Sequence, residues 1–232
     1  MSQPVAVILG AGIGGSAVAT KLATTCHVVV VDRDPALAQG VATTVERAGG
    51  SAEWASVDLL DLPAITAFRD DLLARLGRVD AVIHLVGGWQ GSPTVDAAAL
   101  SAWDAIAPGV FGTVQSTSVA FRETLMAAPA GCYAMVSSTA TAKPTAGNAA
   151  YATAKAAAET WVRALADSFK DSPARAVIVA VKALVSQAQR EQNPDKAYPG
   201  YTDTGDLAAA IAGILRDATT ANGARIDLTE GR

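Results

Sequence analysis

Tyr151 and Lys155 stand four residues apart in the run Tyr151-Ala-Thr-Ala-Lys155. On a helix that spacing puts both side chains on one face, a turn from each other. A phenol beside an ammonium has its pKa drawn down from about 10 towards neutrality. Such a phenol can pass a proton to or from an alcohol or carbonyl oxygen, and a hydroxyl such as Ser138 can hold that oxygen by hydrogen bond. The same letters also describe a half-buried tyrosine beside an exposed lysine. Their meaning depends on what the rest of the chain builds around them.

The first elements build a nucleotide turn. Val5–Leu9 reads as a strand ending in Gly10-Ala-Gly12-Ile-Gly14-Gly15, residues 16–25 as a helix, and residues 28–31 as a second strand stopping at Asp32. Glycines let a backbone turn tightly against a pyrophosphate, and a helix N-terminus favours its charge. The acid after the second strand can bind both hydroxyls of an adenosine ribose and repels a 2'-phosphate. Arg33 beside it can meet such a phosphate, so NAD(H) is preferred and NADP(H) is the alternative. The glycines fit two registers: Gly10, Gly12 and Gly15, shared by many NAD and FAD proteins, or Gly10 and Gly14 followed by Ser16. These residues alone suit a flavoprotein equally well.

Strands and helices alternate through the remainder. Residues 36–48 read as a helix, and 52–57 as a strand ending in Asp58-Leu59, where an acid can contact an adenine amino group. A helix follows from Asp61 to Leu76, with Pro63 suited to its first turn and Gly77 to its stop. Residues 79–86 form a strand containing His84, read as a core histidine, and ending in Gly87-Gly88-Trp89. Residues 97–126 are helical, with Pro108-Gly109 expected to kink or split them. Residues 132–136 are a strand that delivers Ser137-Ser138 to its carboxyl end, and residues 152–169 carry the Tyr/Lys pair. Residues 176–181 and 224–228 are strands, 186–202 an irregular polar stretch, and 206–216 a helix that Thr204 can cap. The expected fold is α/β, a single doubly wound Rossmann-type domain over residues 1–232.

Composition agrees. Half the residues are hydrophobic and the net charge is -4, with no basic cluster, which argues against a nucleic-acid surface. Cys26 and Cys132 show no metal or redox spacing and read as buried thiols in a reducing, cytoplasmic setting. No metal site is expected. The run 105–121 contains Pro, Gly, Ser, Thr and Gln and lacks the purity of a membrane span.

With the glycine turn, Asp32, Asp58, Gly87, Ser138 and Tyr151/Lys155 in this order, the chain resembles the short-chain dehydrogenase/reductase family over nearly its whole length. Ser138 precedes Tyr151 by thirteen residues, the spacing that family uses. The resemblance implies a seven-stranded parallel sheet flanked by helices, an NAD(H)-dependent oxidoreductase and a small-molecule carbonyl or alcohol substrate. It implies that Tyr151 is the general acid or base, that Lys155 bonds the nicotinamide ribose and lowers the Tyr pKa, and that Ser138 positions the substrate, with Ser137 as fallback. Gly10, Gly12, Ile13 and Gly14 would line the pyrophosphate turn, Asp32 and Arg33 the ribose, Asp58-Leu59 the adenine, and Val86-Gly87 the nicotinamide side. A homodimer or homotetramer is implied as well.

Three departures stand out. Gly109 occupies the family's helix-four asparagine position, the fourth strand ends in His84-Leu85-Val86-Gly87, and Lys182-Ala183-Leu184 replaces the Pro-Gly after the sixth strand. Gly109 and the missing Pro-Gly motivate an alternative reading as a catalytically silent dinucleotide sensor or scaffold. A narrower likeness to the dihydropteridine reductase branch rests on Val79-Asp80-Ala81-Val82-Ile83, Gly87-Gly88-Trp89, Asn193-Pro194-Asp195 before Tyr201-Thr202, and the closing Thr229-Glu230-Gly231-Arg232. It implies reduction of a quinonoid pterin, with Trp89 stacking on a flat ring.

Overall fold

The apolar runs that read as strands form one sheet. In the computed structural model, which describes residues 3–217 and 219–229, seven strands pair in the order β3-β2-β1-β4-β5-β6-β9. These are β1 (Val5–Leu9), β2 (His27–Asp32), β3 (Ala52–Ser56), β4 (Ala81–His84), β5 (Cys132–Ser138), β6 (Arg175–Val181) and β9 (Arg225–Asp227). All pair in parallel. A parallel sheet covered on both faces needs near-continuous apolar strands, and β1, β5 and β6 are buried at every residue.

The helices divide between the faces. Strand alternation sends Ala6 and Ile8 of β1, and Cys132, Ala134 and Val136 of β5, into one core. That core is shared with α1 (Ile13–Leu22), α2 (Pro35–Arg47) and α8 (Thr204–Arg216). Val5, Val7, Leu9, Tyr133 and Met135 face the other core, shared with α3 (Leu62–Leu76), α5 (Thr113–Ala127) and α6 (Ala149–Ser168). Asp34 caps α2 and Asp61 caps α3 through backbone amides; each such cap is worth about 1 kcal/mol.

Several boundaries move from those expected. Helix α1 begins at Ile13, inside the glycine turn, so the turn and the helix N-terminus are one device. Strand β4 stops at His84, leaving Leu85-Val86-Gly87 as loop. The disruption expected at Pro108-Gly109 takes the form of a π-helical turn, Pro108–Gly112, between α4 (Ala97–Ala107) and α5. The resulting run Ala97–Ala127 is long and apolar enough by length and composition to cross a membrane, contrary to expectation; here its apolar residues pack against α3 and α6. The stretch after β6 is more ordered than its composition suggested. β7 (Leu184–Val185) pairs with β8 (Thr202–Asp203), and α7 (Gln187–Gln192) lies between them. Thr204 is the first residue of α8 and not its cap.

Candidate active site

The strand order reverses between β1's two neighbours, β2 and β4, and the crevice that such a reversal opens is where open α/β sheets bind ligands. The site residues expected from sequence lie along this carboxyl edge, in two groups.

The first group is the glycine turn with its acids. Gly10 has φ +101, a conformation strained for any residue with a Cβ, and a Cβ there would lie 3.0 Å from the Val86 backbone nitrogen. At Gly15 an added Cβ would lie 1.8 Å from the Gly10 carbonyl oxygen. Helix α1 therefore presses directly on the end of β1. Gly12 holds the N-cap position and, having no side chain, leaves the first amides of α1 uncapped, with nothing within 4 Å of an added Cβ. Gly14 faces Leu184, whose Cδ1 is 3.0 Å from an added Cβ, and Ile13 is exposed. An uncapped helix start with a glycine cradle suits a pyrophosphate. Asp32, the last residue of β2, accepts from Ala11 N at 2.8 Å and Asp34 N at 3.0 Å, which fixes its carboxylate beside the turn. Arg33 is exposed. Asp58 is exposed and accepts from Leu60 N at 2.9 Å, while the Leu59 side chain is buried in the core, leaving only its backbone for an adenine.

The second group lines a cleft of about 1120 Å³ that includes Val86, Gly87, Ser138, Tyr151 and Lys155. Ser138 closes β5, and Tyr151 is in the first turn of α6. Alternation along β5 sends Ser137 and Ser138 in different directions. Ser137 has the parity of Tyr133 and Met135 and points to the α6 side, where its hydroxyl donates to Glu159 at 2.7 Å. Ser138's hydroxyl accepts instead from the Ala140 amide at 3.2 Å and lines the cleft with Tyr151.

The electrostatics correct one expectation. The phenol of Tyr151 is not drawn towards neutrality: burial raises its pKa above the ordinary tyrosine value, and Ser138 only partly opposes this. Lys155 is itself buried, and its Nζ donates to the Val136 carbonyl at 2.9 Å. Burial pulls the Lys155 pKa down to about 8, against the raising influence of Glu159 one turn along α6.

The departures have structural answers. Gly109 lies in the π turn, and its carbonyl accepts the Thr113 hydroxyl at 2.8 Å. That hydroxyl is 2.9 Å from Nε2 of His84, which is fully buried and held neutral, its pKa lowered to about 3 by burial and by Lys155. Lys182 lines the cleft and donates to the Pro199 carbonyl at 2.7 Å, and Leu184 packs on the glycine turn. Lys143 and Asp227 also line the cleft without having been singled out in sequence, and Tyr201 and Thr229, noted there only within the narrower likeness, line it too; they come from loops and the last strand, which carry no local signature. Glu159 had a signal, as the next step of the i, i+4 ladder after Tyr151 and Lys155.

Comparison with known proteins fits this geometry. Residues 4–197 match the short chain dehydrogenase family. The chain belongs to that family. Among relatives of this short chain dehydrogenase is cis-4-hydroxycyclohexanecarboxylate dehydrogenase of Sinomonas cyclohexanicum, 27% identical over 226 residues, covering 97% of this chain and 82% of the relative. A metagenomic short-chain oxidoreductase in complex with NADP superposes with a TM-score of 0.81 at 27% identity, covering 98% of this chain and 97% of that one. A D-mannonate oxidoreductase candidate from Haemophilus influenza with bound NAD superposes with a TM-score of 0.84 at 19% identity, covering 98% and 94%. The family, its seven-stranded parallel fold, and an NAD(P)-dependent oxidoreductase activity on a small molecule follow. None of these three relatives is a dihydropteridine reductase, so the narrower likeness gains no support from them. Part of it, Glu230-Gly231-Arg232, lies outside the described residues.

Proposed function

We propose that this protein is an NAD(H)-preferring dehydrogenase that moves hydride between the nicotinamide and the alcohol or carbonyl carbon of a small hydroxy or oxo acid, with Tyr151 as general acid or base. The observation that carries the reading is the convergence of Ser138, Tyr151 and buried Lys155 on one cleft at the carboxyl edge of the sheet. The nicotinamide would supply or accept the hydride. Ser138 would hold the substrate oxygen, and Tyr151, a neutral phenol whose pKa burial raises further, would give that oxygen its proton in the reducing direction. Lys155 would bond the ribose. Asp32, fixed beside the glycine turn, favours an unphosphorylated ribose.

The acid in the substrate is supported by the relative's hydroxycyclohexanecarboxylate and by Lys143 and Lys182 on the cleft wall, where the carboxylate Asp227 is paired with Arg225. Assembly as a homodimer or homotetramer in the cytoplasm belongs to the same reading, supported by Leu100 and Val119 exposed on α4 and α5 and by two buried unpaired cysteines.

The test is a fluorescence titration with NADH and NADPH, followed by turnover of alicyclic hydroxy acids and their neutral analogues. Tyr151→Phe is expected to keep NADH affinity and cut turnover by roughly 10²–10⁴. Turnover near wild type refutes the role of Tyr151, and nucleotide binding with no turnover across the panel favours the sensor reading.

A further inference from the structure

Glu159 is a carboxylate with a side chain only 4% exposed, on the same face of α6 as Tyr151 and Lys155. Its Oε1 accepts from Ser137 Oγ at 2.7 Å and lies 3.1 Å from Thr141 Oγ1. Its Oε2 accepts from Arg163 Nη2 and Arg225 Nε, both at 3.1 Å. Arg225 comes from the sheet's last strand, β9. Its Nη2 reaches past the ion pair to the Ser138 carbonyl at 3.4 Å and the Thr141 hydroxyl at 3.2 Å, and its Nη1 reaches Asp227 at 3.5 Å. The Thr141 hydroxyl lies 3.0 Å from the same Ser138 carbonyl.

Ser137, Ser138 and Thr141 thus all end on one ion pair, its carboxylate buried and its guanidinium partly buried. That pair also links the cleft wall at Asp227 to the strand that carries the substrate-holding hydroxyl. A buried ion pair is poor evidence for stability, because well-packed apolar residues often replace one at no cost. What this pair supplies is geometry.

We propose that Glu159 and Arg225 are positioning residues that fix Ser138 and the turn after it against the Tyr151–Lys155 face, which makes β9 a working part of the active site. The inference rests on the oxidoreductase reading above. Glu159 has a second effect on the same site. The charged or titratable groups around Lys155 are His84 on β4 and Tyr151 and Glu159 on α6; those around Glu159 are Lys155 and Arg163 on α6, and Arg225 with Asp227 on β9. Glu159 alone among those facing Lys155 supports its charge against burial.

The experiment compares Glu159→Gln, Arg225→Met, Arg225→Lys and Ser137→Ala with wild type for kcat, KM, the pH profile of kcat/KM, NADH affinity and melting temperature. Glu159→Gln keeps an acceptor for Ser137 but removes the charge, so the alkaline limb is expected to move down by roughly 0.5–1 pH unit. Arg225→Met is expected to lower kcat about tenfold or more with NADH affinity within about twofold of wild type, and Arg225→Lys to recover part of the loss. Ser137→Ala unpairs no charge and is the variant most certain to fold; its kcat is expected to fall roughly threefold to tenfold. Wild-type kcat and an unmoved alkaline limb in folded Glu159→Gln and Ser137→Ala, with only the melting temperature lowered, overturn the proposal whatever Arg225→Met does. Failure of wild type to bind NADH is a different result, and it strikes the functional reading itself.

Discussion

Lys155 Nζ donates to the backbone carbonyl of Val136 at 2.9 Å, two residues before Ser138 on the same strand. The lysine is thereby anchored to β5 as well as to α6, and its buried ammonium joins the Ser137–Glu159 bond in tying the strand end to the Tyr151 helix. Because burial brings its pKa down to about 8, the charge it needs for a ribose hydroxyl is present below that pH and lost above it. NADH affinity is expected to weaken as pH rises from 7 through 9. Lys155→Met is expected to remove that dependence and to weaken binding about tenfold or more at pH 7, the worth of a charge-assisted hydrogen bond. A titration of NADH by fluorescence at several pH values checks both, and a flat wild-type profile counts against the assignment.

Asp32 is held by two backbone amides, so its carboxylate is aimed before any nucleotide arrives. For Asp32→Ala the expected outcome is NADH binding weakened roughly 10–100-fold, the value of hydrogen bonds to a charged group, with NADPH binding little changed or improved by Arg33. Equal losses for both nucleotides would falsify the ribose role. The carboxylate also holds the Ala11 amide, so a melting curve must accompany the titration.

The glycine turn offers a sharper contrast. Gly15→Ala places a methyl 1.8 Å from the Gly10 carbonyl oxygen, a backbone atom that cannot swing aside, and helix α1 must move away from β1 to admit it. Gly12→Ala meets nothing within 4 Å. The first variant is expected to lose nucleotide binding and several degrees of melting temperature. The second should fold like wild type, any loss being confined to nucleotide affinity. Calorimetry or a thermal melt of the two side by side decides the matter.

That contrast also shows how far the sequence could be read. The letters Gly10 to Ser16 allow two registers, and only packing separates them: Gly10 and Gly15 are required by backbone contact, whereas Gly14 meets only the ends of the flexible Leu184 and Leu85 side chains. The strand–helix alternation, Asp32, and the Ser138/Tyr151/Lys155 set were legible because each depends on local pattern and fixed spacing. The sign of the Tyr151 shift was not, because desolvation depends on how deeply the phenol is packed, and no spacing records that. Arg225 was equally silent. It acts on Ser138 across a separation of 87 residues, and its meaning exists only once β9 has paired with β6. The π turn at Pro108–Gly112 was foreseen as a disruption but not in kind, since its carbonyl is satisfied by a side chain one turn on.

His84 carries the last prediction. It sits fully buried at the end of β4, bonded through Nε2 to Thr113 and stacked on Tyr133, with Nδ1 unpartnered among the described residues. Folding therefore holds it neutral, with a pKa near 3 against the ordinary 6.5. The unfolded chain takes up this proton below pH 6.5 while the folded protein does not. The histidine's contribution is intact above that value and is lost progressively as pH falls towards 3, by about 1.4 kcal/mol per pH unit at the limiting slope. Denaturant unfolding at pH 7.5, 5.5 and 4.5 is expected to show this fall superimposed on that of the carboxylates. His84→Gln keeps a partner for Thr113 but has no proton to gain, so its stability should decline less steeply over the same range, even if it starts lower at pH 7.5. Parallel declines for the two proteins would mean that His84 is charged in the folded state, and the link from β4 through Thr113 to Gly109 would then need a different proton arrangement.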